Sequence, residues 1–168
     1  MVRESHFSRS RGIFARDSWT IICKGQMTKN FTLAELTKTR FAFDNTPTPQ
    51  IEANLLLLCQ KVLQPLRDAV GPVTVTSGYR SKLVNEAANG AYKSDHLYGF
   101  AADLQSPDGD HRKIFDWLKT NAMYSQLIYE FGNDKQPQWV HVSYNPKDLK
   151  RETLRARNVG RRVTYSSM

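Results

Sequence analysis

The stretch SDHLYGFAAD, Ser94 to Asp103, sets a histidine and an aspartate seven residues apart among small neighbours. FAADLQ reads as a strand, in which Ala101 and Asp103 share one face by the two-residue side-chain period. The small Ala101 and Ala102 leave room beside the carboxylate. Gly99 supplies a turn between His96 and that strand, and so returns to one side two groups that straight extension would set apart. Downstream, QWVHVSY reads as another strand, with Trp139, His141 and Ser143 on one face. Upstream, GPVTVTSGYR opens with a turn and continues as a β-rich segment, in which Val73 and Val75 alternate with threonines.

Around these strands the pattern is helical. Ile51, Leu55, Leu58, Val62 and Leu66 recur at helix spacing, after the loop NTPTPQ, and predict a long helix with one apolar face. Pro65 predicts an irregularity in it. Thr32 and Glu35 form a T-x-x-E capping box at the start of a shorter helix. SKLVNEAANG predicts a helix closed by Asn89 and Gly90. Asp110 caps another that carries Ile114, Trp117 and Leu118 on one side. SQLIYEF is a strand joined to QWVHVSY by the polar loop GNDKQP. Strands and helices mix without regular βαβ alternation, which predicts an α+β fold: a small antiparallel β-sheet flanked by helices. After Asn145 comes a charged segment and then RRVTYSS, read either as an edge strand or as unpaired chain.

The chain of 168 residues suffices for one domain with a sizeable core. No apolar run approaches the roughly 18 residues of a membrane span. Arg16 and Asp17 interrupt the apolar GIFARDSWTII, so the expectation is synthesis in the cytoplasm without a secretory signal. Cys23 and Cys59 have no metal spacing and read as reduced thiols. The net charge of +8 sits at the ends: residues 1–26 sum to +3, residues 147–168 to +5, and residues 27–146 to zero. The expected division is a basic N-terminal arm over 1–26, a domain over 27–146 and a basic C-terminal extension over 147–168. Basic ends suit a polyanion or an acidic partner, or serve only as solvated tails. Nucleic acid is disfavoured, because the neutral body offers no basic stripe or stacking aromatic array.

Of four histidines, His6 falls in the arm and His111 in the first turn of an exposed helix. His96, Asp103 and His141 remain. Two imidazoles and a carboxylate are a catalytic zinc set that keeps a fourth position for water and lowers the pKa of that water to about 7. Taken alone, a histidine and an aspartate seven apart mean little, and a structural hydrogen bond is the commoner reason for such a pair.

Three blocks in order, SGYRS at 77–81, SDHLYGFAAD at 94–103 and WVHVSY at 139–144, resemble the signature blocks of the M15 zinc peptidases. These are the D-alanyl-D-alanine carboxypeptidase and phage endolysin relatives with the hedgehog/DD-peptidase fold. NFTLAELT and LLLLCQKVLQPLR are similar to the N-terminal half of the phage-type subgroup, so the likeness covers about Asn30 to Tyr144. The resemblance implies one zinc ion, Zn2+, on His96, Asp103 and His141. It implies that Arg80 reaches the scissile carbonyl or a terminal carboxylate. Ser94 would orient the His96 segment or only shape a turn; Trp139 and Tyr144 would line the substrate cleft or pack in the core. Many relatives carry Asp or Glu three residues before the last histidine. Here that residue is Gln138, whose amide cannot take a proton from water, and Glu130 in LIYEFG is the candidate general base. The implied substrate is a peptidoglycan stem peptide, cut at D-Ala–D-Ala or L-Ala–D-Glu, at the bacterial cell wall. The competing class is a virion-attached structural or wall-binding module with weak or no catalysis, held by a phage structural protein or a polyanion through its basic ends.

Overall fold

The computed structural model of the chain describes residues 25–168. Gly25 and Gln26 already engage the domain: the Leu33 N–H donates to the Gly25 carbonyl at 2.8 Å, and Gln26 bridges to Thr32. The rest of the expected arm, with His6 and Cys23, lies outside the described residues. Thr32 caps α1 (Leu33–Leu36), its hydroxyl accepting from the Glu35 N–H at 3.2 Å, as the capping box predicts.

The apolar stripe becomes α2 (Pro49–Leu58), a π-helical turn (Cys59–Leu63) and α3 (Gln64–Val70). Pro65 has no N–H for the carbonyl four residues back. The irregularity expected there takes the form of this wider turn just before it. Leu55, Leu58, Val62 and Leu66 are fully buried, and Ile51 packs against them. Two further helices, α4 (Lys82–Ala87) and α5 (His111–Asn121), follow the sequence expectation.

One six-stranded sheet holds the site. Its strands are β1 (Thr74–Ser77), β2 (Ala101–Gln105), β3 (Gln126–Glu130), β4 (Trp139–Ser143), β5 (Glu152–Val159) and β6 (Arg162–Ser167), in the order β1-β2-β4-β3-β5-β6. Alternation divides the central strands. Ala102, Leu104, Leu127, Tyr129, Val140 and Val142 enter the core with α2, α3 and the α5 residues Ile114, Phe115 and Leu118. Each such large side chain contributes about 1.5–3 kcal/mol by leaving water. The intervening residues, Ala101, Asp103, Ile128, Glu130, His141 and Ser143, face the other way.

The sheet departs from expectation at its C-terminal side. It runs past residue 146, and the segment expected as an extension supplies β5 and β6. β5 pairs parallel with β3, so the sheet is mixed rather than wholly antiparallel. β4 ends beside the start of β3, and the connection over 144–151 enters β5 at that same end. The Arg151 and Glu152 N–H groups fasten the entry, donating to the carbonyls of Tyr124 and Ser125 at 3.1 and 3.0 Å. Leu154 and Ala156 alternate with Arg155 and Arg157, a half-buried strand pattern inside a charged stretch. Arg155 lies over the Tyr129 ring at 4.9 Å and pairs with Asp134 at 2.6 Å. RRVTYSS forms the edge strand β6, antiparallel to β5. Among the described residues, no helix is long and apolar enough to cross a membrane.

Candidate active site

Antiparallel pairing of β2 with β4 sets Asp103 directly opposite His141, with both side chains on the face away from the helices. His96 arrives by another route, from a 3-10 turn (Asp95–Tyr98). The Ser94 hydroxyl caps that turn by accepting from the His96 N–H at 3.3 Å. Gly99 ends it at φ +72°, and a Cβ there would stand 2.9 Å from Ile51. Only glycine serves both the left-handed backbone and the close approach. The outcome is a buried triangle. His96 Nε2 lies 3.2 Å from Asp103 Oδ1 and 3.2 Å from His141 Nδ1, and His141 Nδ1 lies 3.0 Å from Asp103 Oδ1.

Proton placement decides what this triangle can hold. His96 Nδ1 sits 2.6 Å from the Gly78 carbonyl oxygen, which only accepts, so Nδ1 carries the proton and Nε2 a lone pair. Burial keeps the His96 pKa below its ordinary value, so the ring is neutral. Burial works against charge on Asp103 too, but the facing imidazoles, His96 first and then His141, hold its carboxyl below the usual carboxylate range. At most one proton, on His141 Nδ1, then lies among three crowded atoms that otherwise present lone pairs, an arrangement that suits a cation. Tetrahedral zinc with ligand distances near 2.0–2.2 Å separates its ligand atoms by roughly 3.3 Å, close to the spacings found. The donor set therefore fits one zinc ion, and His96, Asp103 and His141 would fill three of its four positions.

The SGYRS loop supports the triangle. A Cβ on Gly78 would fall 2.2 Å from the Leu36 carbonyl oxygen, so only glycine brings the loop this close. Arg80 donates from Nε to the Ser77 hydroxyl at 2.8 Å, and its guanidinium pairs with Asp103 Oδ2. The ion pair thus sits inside the cleft, on the carboxylate oxygen turned from the triangle. Asn45 clamps this loop: its Nδ2 donates to the Thr37 and Tyr79 carbonyls at 2.8 and 3.0 Å, and its Oδ1 accepts from the Ser81 N–H at 2.6 Å. Sequence reasoning missed Asn45, which reads as one more polar loop residue ahead of TPTP.

Glu130 ends β3 on the face of the triangle. His141 stands opposite Ile128, so Glu130 is its diagonal neighbour, about 7–8 Å away along the sheet. Burial pushes the Glu130 carboxyl up to about 7; the His141 and Arg80 charges pull it down and the Asp103 charge pushes it up. Gln138 is exposed, and its backbone N–H donates to the Glu130 carbonyl at 2.8 Å.

An open cleft of about 1400 Å³ takes in His96, Asp103, His141, Glu130, Arg80, Ser94 and Trp139. Trp139 tilts against Phe131, ring centres 5.2 Å apart. Tyr144, expected as a possible cleft residue, instead packs against the core. The alternation that turns His141 and Ser143 to the cleft sends the next residue to the opposite side. Leu154, Val163 and Tyr165 of the C-terminal hairpin also line the cleft, and none of them was singled out from sequence.

A mixed sheet with helices on one face and an imidazole and carboxylate triangle on the other defines a candidate metal-dependent enzyme. The family model described as Peptidase M15 matches residues 29–143, more than half of the chain, and the chain belongs to that family. It is also 40% identical over 79 residues to the zinc D-Ala-D-Ala carboxypeptidase of Streptomyces albus G, a match that covers 45% of this chain and 31% of the relative. The chain thus spans less than a third of the length of that curated relative.

Proposed function

We propose that the chain is a zinc-dependent peptidase acting on peptidoglycan stem peptides, with His96, Asp103 and His141 as the metal ligands. The observation that carries this reading is the buried triangle of three acceptor atoms at 3.0–3.2 Å. The zinc D-Ala-D-Ala carboxypeptidase likeness supports D-Ala–D-Ala as the bond cut. A zinc ion bound there supplies Lewis acidity toward a peptide carbonyl and toward water.

The protein's own groups then have distinct tasks. Arg80 holds Asp103 Oδ2, so that Oδ1 points into the triangle, and its fixed positive charge in the cleft suits the terminal carboxylate of the peptide. Gly78 fixes the His96 tautomer, and Ser94 is a positioning residue for the His96 turn rather than a substrate contact. Glu130 takes a proton from the attacking water, whose oxygen bonds to the acyl carbon. As the C–N bond breaks, Glu130 returns that proton to the leaving amine. A carboxyl with pKa near 7 can serve in both directions at neutral pH. Trp139 forms part of the cleft wall. The action belongs at the bacterial cell wall, and the excess positive charge of 147–168 suits an acidic wall polymer or a phage structural protein as an anchor.

The test is zinc content measured together with hydrolysis of a D-Ala–D-Ala-terminated peptide. The expected result is about one zinc per chain, lost in His96→Ala, and hydrolysis abolished by chelation and restored by zinc. Hydrolysis that survives complete removal of metal would overturn the reading.

A further inference from the structure

The β5–β6 hairpin lies on the cleft side of the sheet in a specific way. Register runs one cross-strand row through Trp139, Glu130, Ala156 and Tyr165. Its neighbour runs through Asp103, His141, Ile128 and Leu154. Glu130 and Tyr165 are thus separated by a single alanine, Ala156, which is fully buried between them. Val163, two residues from Tyr165, shares its face. Although apolar, Val163 and Tyr165 are 45% and 55% exposed, and among the described residues no helix covers them as α2 and α5 cover the other face. The reverse face of the same hairpin carries Arg155, Arg157, Thr164 and Ser166. Burial first, then the charges of Glu130 and Asp103, push the Tyr165 phenol up.

We propose that Leu154, Val163 and Tyr165 form a specificity subsite for the aliphatic side chain of a substrate residue two or three positions upstream of the bond that is cut. This rests on the peptidase reading above. With Arg80 on the β1 side of the triangle taking the terminal carboxylate, the acyl part of the peptide runs toward β3, β5 and β6. Strands lie about 4.8 Å apart, so β6 is roughly 10 Å beyond Glu130. An extended peptide advances about 3.3–3.6 Å per residue, which brings its second or third upstream residue level with β5 and β6, where Leu154, Val163 and Tyr165 line the cleft. The cleft is continuous over this path, so the occupant is the substrate itself and not a separate partner.

The experiment compares two D-Ala–D-Ala-terminated peptides carrying glycine or norleucine at the two positions before the terminal pair. The zinc-loaded full chain should prefer the norleucine peptide in kcat/KM by about tenfold or more, tenfold being the low end for one methylene in an apolar site. Tyr165→Ala and Val163→Ser should each bring that ratio down toward one, and Tyr165→Phe should keep it. Ser166→Ala, on the reverse face of β6, should leave it unchanged. Wild-type cleavage without a preference, or a preference that persists in Tyr165→Ala and Val163→Ser, overturns the subsite and leaves the peptidase reading standing. Failure of the zinc-loaded wild type to cut either peptide removes both.

Discussion

The two faces of the sheet are built from alternate residues of the same strands, yet they do opposite things. On the helix side, Leu104, Leu127, Tyr129, Val140 and Val142 are wholly buried and apolar. On the other side, Asp103, Glu130 and His141 are almost as buried, and they are ionisable. Burial favours the first set and works against the charged forms of the second. The open face keeps such groups because each has a specific partner or a specific shift: Asp103 has two imidazoles and a guanidinium, while Glu130 gives way to burial and titrates near neutrality. One face stabilises the fold, and the other spends part of that stability on chemistry.

Substitutions on the two faces should therefore separate activity from stability. The largest effect is expected on the open face. Asp103→Ala should abolish zinc binding and bring hydrolysis to background, as read by metal analysis and peptide turnover; retained stoichiometric zinc would remove Asp103 from the ligand set. Glu130→Gln should keep zinc and lower kcat by about 10²–10⁴-fold, the usual range for a general base. On the helix side, Leu104→Ala should lower unfolding free energy by about 2–5 kcal/mol while folded protein keeps its zinc, a contrast that denaturant titration and metal analysis would expose together.

Acidity sharpens the comparison. Burial raises the Glu130 pKa from 4.5 to about 7 in the metal-free fold and a bound cation pulls it back down, so activity that needs its ionised form should rise with pH between those two values and lose that limb in Glu130→Gln. The stability effect has the opposite sign. The folded state binds this proton more tightly, so the contribution is fully present below pH 4.5 and is lost as pH rises through about 7. In metal-stripped protein, Glu130→Gln should flatten that part of the stability profile. The smallest change is expected from Ser94→Ala, which removes the cap on the His96 turn: about 1 kcal/mol of stability and about tenfold in zinc affinity. Unchanged affinity would reduce Ser94 to a turn residue.

The alternation of FAADLQ and QWVHVSY was enough to put Asp103 and His141 on strand faces, and Gly99 was enough to bring His96 back toward them. Neither pattern states which strands are neighbours, and it is the register of β2 against β4 that joins the two. Tyr144 was open to two readings, and the strand period resolves it toward the core. Asn45 and the Gly78 carbonyl left no sequence signal, because their roles arise from backbone groups that meet only after folding. Charge obscured β5: the alternation of Leu154 and Ala156 with two arginines is a strand pattern, but the density of Lys and Arg gives it the look of a solvated tail.

The parallel seam between β5 and β3 makes the strand bearing Glu130 an interior one. A recombinant fragment stopped within 144–151 would leave β3 as a raw rim with unpaired amides. Its acid would be wetted and drift back toward the acidity of an ordinary glutamate. A stretch that looks disposable by composition is in that sense the custodian of Glu130, and on the proposed reading trimming it to tidy the protein would blunt proton transfer without touching His96, Asp103 or His141.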